Sequence, residues 1–152
     1  MRETEGNTKK YIESKIEILT YIDRLKYALN SNQAKIKFQE QRLVDKCRDK
    51  KYTNRFTVAD LFPDEDVVET LKRELKNIMV EDYIETVKDL RFKNRSDMRV
   101  FGKKYNGEDV YIKIRVELLK STLSGIDDFV FVMSFHYSTE DFNNVTFPYG
   151  KN

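Results

Sequence analysis

The sequence is short of the residues that most often carry chemistry or staple small folds. Its 152 residues include one cysteine (Cys47), one histidine (His136) and no tryptophan. A lone cysteine excludes a disulfide framework and a cysteine metal cluster, and a single thiol suits a reducing compartment. One cysteine with one histidine makes no zinc ligand set, so no metal and no other cofactor is expected. The first ten residues, MRETEGNTKK, lack the apolar core of a signal peptide. No apolar run approaches the roughly 20 residues that cross a bilayer. The expected setting is the cytoplasm. There is also no nucleotide-phosphate loop, nucleophile elbow or metal-binding helix motif, and no internal repeat.

Charge and phenyl rings are abundant. Charged residues make up 36%, the apolar set 39%, and 10 Phe with 9 Tyr supply bulk for a core. That composition and length suit one domain. The net charge of +2 conceals an uneven distribution. Residues 1–62 hold 14 Lys/Arg against 9 Asp/Glu, residues 63–90 hold 4 against 9, and residues 91–152 hold 10 against 8. A local basic excess attracts phosphate, although charge runs also serve as plain solvated faces.

The first half carries helical periodicity. Ile12, Ile16, Leu19, Ile22, Leu25 and Leu29 recur every three or four residues, with Asn7 or Thr8 as the cap. A turn at Asn30-Ser31-Asn32 precedes an expected second helix over 33–50, with Ile36, Phe38, Leu43 and Val44 on a thin apolar stripe. Residues 50–62 read as irregular. Pro63-Asp64-Glu65-Asp66 reads as a helix start, and Val67, Val68, Leu71, Leu75 and Ile78 form its buried stripe. A short turn of helix is expected over 81–88.

The period then changes to two. Residues 99–105 have strand character, and Asn106-Gly107 is a strong hairpin signal because both residues tolerate positive φ. From 110 to 118, Val110, Ile112, Ile114, Val116 and Leu118 alternate with Tyr111, Lys113, Arg115 and Glu117. Residues 119–128 read as a loop, 129–137 as a central strand, and the tail with Pro148 and Gly150 as a further edge strand. The expected fold class is α+β: N-terminal helices packed on a small antiparallel sheet of three to four strands. The whole chain, 1–152, is read as one domain, with a helical extension over 1–62 and an α+β core over 63–152. Ile112, Ile114 and Val116 should lie beneath Val68, Leu71 and Leu75.

Alternation places a phenol, an ammonium and a guanidinium on consecutive outward positions: Tyr111, Lys113 and Arg115. Solvated strands often carry Lys and Arg for solubility alone. The functional reading is an RNA-cleaving face, on which cations stabilise charge on the phosphate and Tyr111 or His136 transfers protons. His136 ends the last strand and is the one side chain that titrates near neutral pH when unperturbed. Lys88, Arg91, Lys93, Arg95, Arg99 and Lys103 are the candidate RNA-binding cations. Several of them interleave with Phe92 and Phe101, which suits phosphates and stacked bases.

Five short segments occur together in one order: Met79-Val80-Glu81-Asp82-Tyr83, Val100-Phe101-Gly102-Lys103, Asn106 to Lys113, Met133-Ser134-Phe135-His136, and Phe147-Pro148-Tyr149. In that order and spacing the chain from Val68 to Lys151 resembles toxins of the MqsR family of bacterial toxin–antitoxin systems. The resemblance implies a RelE-like fold, metal-independent endonucleolytic cleavage of messenger RNA, and neutralisation by a cognate antitoxin protein. By position, it makes Tyr111 the tyrosine acting at the scissile phosphate. It places His136 where members carry lysine or histidine, and matches Lys103 and Lys113 to basic family positions. Many members carry a lysine in or just after the Asp-Tyr segment, where this chain reads Asp82-Tyr83-Ile84-Glu85-Thr86 and Lys88 is the nearest substitute. Two other readings stand beside the ribonuclease: a non-catalytic RNA-binding or regulatory module, and an interaction protein dominated by its N-terminal helices.

Overall fold

The computed structural model describes residues 7–30, 35–92, 94–117 and 129–150. Strand β1 (Thr8–Tyr11) leads into helix α1 (Lys15–Asn30). Ser14 opens that helix with a reciprocal cap. Its hydroxyl accepts from the Glu17 amide (3.2 Å) and the Glu17 carboxylate accepts from the Ser14 amide (2.9 Å). The helix therefore starts six residues later than Thr8. Its buried stripe is Ile18, Tyr21, Ile22, Leu25, Ala28 and Leu29, while Ile12, Ile16 and Leu19 stay exposed.

The expected second helix over 33–50 is absent. Strand β2 (Lys35–Phe38) is followed by two short 3₁₀ turns, Leu43–Cys47 and Lys50–Tyr52. Residues read as irregular instead contain helix α2 (Asn54–Leu61), capped by the Thr53 hydroxyl. Helix α3 (Val67–Leu75) begins after Asp66, whose carboxylate accepts from the Glu69 amide at 2.9 Å. The expected helical turn over 81–88 is strand β3 (Tyr83–Asp89), preceded by one 3₁₀ turn. Strands β4 (Met98–Tyr105), β5 (Glu108–Glu117) and β6 (Phe129–Tyr137) complete the regular structure of the described residues. Asn106 (φ 52°) and Gly107 (φ 83°) make the β4–β5 hairpin as the sequence indicated. The loop expected over 119–128 lies outside the described residues, and the described tail adds no strand.

The fold class is α+β, but the sheet is larger than expected and mixed. Six strands run in the order β1-β3-β4-β5-β6-β2. All pairings are antiparallel except β2 with β6. The first 62 residues thus supply both edge strands as well as α1 and α2. The strand over 129–137 is paired on both sides, by β5 and β2. Beyond the end of β2, helix α2 takes over the free edge of β6. The Asn54 amide donates to the Gln39 and Met133 carbonyls (2.7 and 2.8 Å), and its oxygen accepts from the Phe135 amide (2.9 Å). Thr57 then accepts from the Tyr137 amide. These side chains satisfy backbone groups that would otherwise be buried and unpaired.

Register assigns the faces. Val110, Ile112, Ile114 and Val116 of β5 join Val130, Val132 and Phe135 of β6 under the helices, in one core with Ile18, Leu25, Val58, Leu71 and Leu75. Val68 lies outside this core and is 40% exposed, because Leu71 and Leu75 take the inward positions of α3. On the same face Arg99 forms a bidentate ion pair with Glu13 (2.8 and 3.0 Å) and caps the Tyr21 ring. Thr86 also donates to that carboxylate. Tyr149 donates to the Glu13 carbonyl and stacks on Tyr83, so the C-terminal segment is tied to the start of α1. Gly102 faces the other way, and a Cβ there would lie 2.5 Å from the Phe142 ring. Ile114→Ala should therefore cost about 2–5 kcal/mol in urea unfolding, while Val68→Ala should stay within about 0.5 kcal/mol.

Candidate functional site

The second face of the sheet holds Tyr111, Lys113 and Arg115, because β5 alternates and its even positions are committed to the core. The three helices send their buried apolar residues to the first face. Among the described residues the second face carries a small apolar cluster, Val87, Met98 and Val100, bordered by Ile84, Tyr111, Phe131 and Met133, with the Phe142 ring over Gly102. Tyr111 pairs across the sheet with His136, and their rings stack with centroids 5.4 Å apart. Lys113 pairs with Ser134. A bulge then shifts the register by one, so that Arg115 stands opposite Phe131. The guanidinium of Arg115 lies over the Phe131 ring at 4.9 Å.

Two arginines that the sequence reading did not single out complete this group. The irregular arm between β2 and α2 brings Arg42 onto Ser134 (3.2 Å) and Arg48 onto His136 Nε2 (3.4 Å). Arg48 also donates to the Tyr52 carbonyl. The arm is held to β6 by Asn54, so the same side chain that spans the bulge also positions the two guanidinium groups. The sequence signal was the basic excess of residues 1–62, which a helical reading of 33–50 hid.

The electrostatics follow from this crowding. His136 is 5% exposed, and burial, reinforced by Arg48 and Arg42, pushes its pKa down to about 4. Its Nδ1 lies 2.8 Å from the Tyr137 carbonyl, which only accepts. The proton therefore sits on Nδ1, and Nε2 offers a lone pair to Arg48. Burial and Glu85 push the Tyr111 phenol up to about 12 against the opposing pull of Arg42 and Arg48, so it is protonated at neutral pH. Lys113 is lowered by burial and by Arg42 and Lys10. It has no hydrogen-bond or ion-pair partner among the described residues. The nearby carboxylates are already engaged, Glu85 by Lys10 and Asp89 by Arg91.

The candidate RNA-binding cations divide between the faces. Arg95 stands over the Phe92 ring at 4.1 Å and lines a groove on the second face. Arg91 is held by Asp89 close to that groove. Arg99 does not reach this face, since it is committed to Glu13 beneath the helices. Lys103 pairs with Asp82 and the Asn77 carbonyl on the first face. Lys88, beside Lys9 in the β1–β3 ladder, is exposed and shares the phase of Thr86, away from the face of Lys113. Lys93 lies outside the described residues. Among the described residues no three His, Cys, Asp or Glu side chains form a metal-binding group, and no helix is long and apolar enough to cross a membrane.

No family model matches the chain, and no significant match is found among curated proteins or solved structures. The functional reading therefore rests on the motifs and the geometry.

A histidine buried neutral makes a specific prediction. The unfolded chain binds a proton at an ordinary histidine pKa near 6.5, and the folded chain only near 4. Stability contributed by His136 is thus full above about pH 6.5 and falls as pH drops toward 4, by about 3 kcal/mol at most. Nitrogen-15 NMR should show the Nδ1–H tautomer at pH 7. Arg48→Ala should raise the titration midpoint.

Proposed function

We propose that the open face of the sheet binds single-stranded RNA and cleaves it without a metal, using the RNA's own 2′-hydroxyl as nucleophile. The observation that carries this reading is the cluster of Arg42, Arg48 and Lys113 around the Tyr111–His136 stack, in which Lys113 makes no ion pair among the described residues. Arg42 and Arg48 repel each other, and Arg42 repels Lys113, and a bound phosphate relieves that repulsion. The 2′-oxygen attacks phosphorus as the bond to the 5′-oxygen breaks, giving a 2′,3′-cyclic phosphate and a 5′-hydroxyl. Lys113 and the arginines stabilise the charge that develops on the phosphate oxygens. Tyr111, protonated at neutral pH, donates to the leaving 5′-oxygen. A phosphate that draws Arg48 away frees His136 Nε2 to accept the 2′-hydroxyl proton.

The ordered motifs, with Tyr111-Ile112-Lys113 among them, extend the proposal. On that resemblance the fold is RelE-like and the protein is a cytoplasmic messenger-RNA-cleaving toxin, held silent by an antitoxin protein. The second reading is RNA binding without cleavage. It is favoured by the Arg48–His136 contact, which occupies the lone pair that catalysis needs.

Purified protein and an end-labelled RNA in excess EDTA separate the two. Cleavage should persist and leave cyclic phosphate ends. Tyr111→Phe should retain binding and slow cleavage by about 10²–10⁴-fold, and Lys113→Met should weaken both. Binding without cleavage by the wild type would select the second reading, and absence of both would overturn the proposal.

A further inference from the structure

At the end of the open face away from Tyr111 and His136 lies a groove of about 410 Å³. Its floor is Met98, Phe131 and Met133, and its rim carries Lys37, Arg95 and Arg115, with Asp89 also in the lining and held by Arg91. Each cation lies against a ring: Lys37 over Phe129 and Arg95 over Phe92 at 4.1 Å, and Arg115 over Phe131 at 4.9 Å. Cations drawn over ring faces leave their outer N–H groups facing solvent while the rings stay flat against the groove. Arg115 adds a second, independent observation. Its Nε is buried and donates to nothing among the described residues, an arrangement that normally costs about 1–3 kcal/mol.

We infer that this groove is a nucleotide subsite that takes one nucleotide of a single-stranded RNA, next to the proposed cleavage position. The thioethers of Met98 and Met133 and the planar Arg115 guanidinium over Phe131 give the base a surface to lie on, which every base permits. Lys37, Arg95 and Arg115 take the flanking phosphate. The floor and rim together, rather than charge alone, point to a nucleotide, in which every unit joins a flat ring to a phosphate. The placement also gives the bound strand a path. Arg115 lies four residues along β5 from Tyr111, about 13 Å at the rise of an extended chain, so an RNA strand seated in the groove runs along β5 into the cation cluster. This inference rests on the RNA reading of the face but not on cleavage.

The test uses the full chain labelled with carbon-13 at its methionine methyls and a 2′-O-methyl oligonucleotide, which cannot attack its own phosphate. Ring-current shifts should appear at the Met98 and Met133 methyls. Met79, which precedes β3 at the opposite end of the β3–β4 pair, should not move. Arg115→Gln should weaken binding of the 2′-O-methyl oligonucleotide about tenfold. Methionine shifts from a protein that cleaves no RNA would keep the subsite and end the catalytic reading. RNA cleavage with silent Met98 and Met133 methyls, or an unchanged affinity in Arg115→Gln, would overturn the subsite and leave the catalytic reading standing.

Discussion

The register of β5 between β4 and β6 decides which side chains this molecule offers to solvent. Ile112 and Ile114 are fully buried and must meet the helices, so Tyr111, Lys113 and Arg115 have nowhere to go but the opposite face. A slip of one residue would put a lysine and an arginine under α1 and the isoleucines in water. The cost of burying two unpaired charges makes that alternative prohibitive. The core and the candidate site are therefore two consequences of one alternation. A substitution that loosens the first should displace the second.

The bulge between Lys113 and Ile114 adds the finer arrangement. It lets Val132 return to the core opposite Ile114 while Ser134 and His136 stay on the open face beside Lys113 and Tyr111. An extra residue in one strand leaves ladder groups unpaired, and Asn54 occupies that position with its side-chain amide. Because Asn54 begins α2, the arm that precedes it is drawn over β6, and Arg42 and Arg48 arrive with it. His136 is then enclosed, neutral and bound to Arg48. Lys113 is held near Arg42 and Lys10, with its neighbouring carboxylates Glu85 and Asp89 engaged by Lys10 and Arg91. A site built this way is poised for an anion.

How much of this could be read from the sequence depended on the range of the interaction. The β5 alternation and the Asn106-Gly107 turn are local, and both gave the right structure. Ser14-Lys15-Ile16-Glu17 is an equally local capping box, but the apolar spacing reaching back to Ile12 masked it. Strand β2 has only Ile36 and Phe38 to mark it, and a four-residue parallel strand exists because β6 is there to pair with. Strand β3 looked helical because Thr86 and Val87 are buried on opposite faces, which erases simple alternation. For the site, Tyr111, Lys113 and Arg115 followed from local period. The His136 partnership needed the β5–β6 register, and Arg42 and Arg48 needed the bulge and Asn54, which have no local signature. Arg99 and Lys103 fell on the wrong face because their strand's phase is set by Phe101 entering the core.

The central claim is that the second face, through its cluster of cations, is where this protein meets nucleic acid. The most direct test is the salt dependence of affinity for a single-stranded oligoribonucleotide. Each phosphate neutralised contributes about 0.7 to the slope of log K against log salt for a single strand. The Arg42→Met, Lys113→Met double variant should flatten the wild-type slope by about 1.4, while Lys26→Met, on the exposed side of α1, should leave it unchanged. Equal slopes for the wild type and the double variant would contradict the claim.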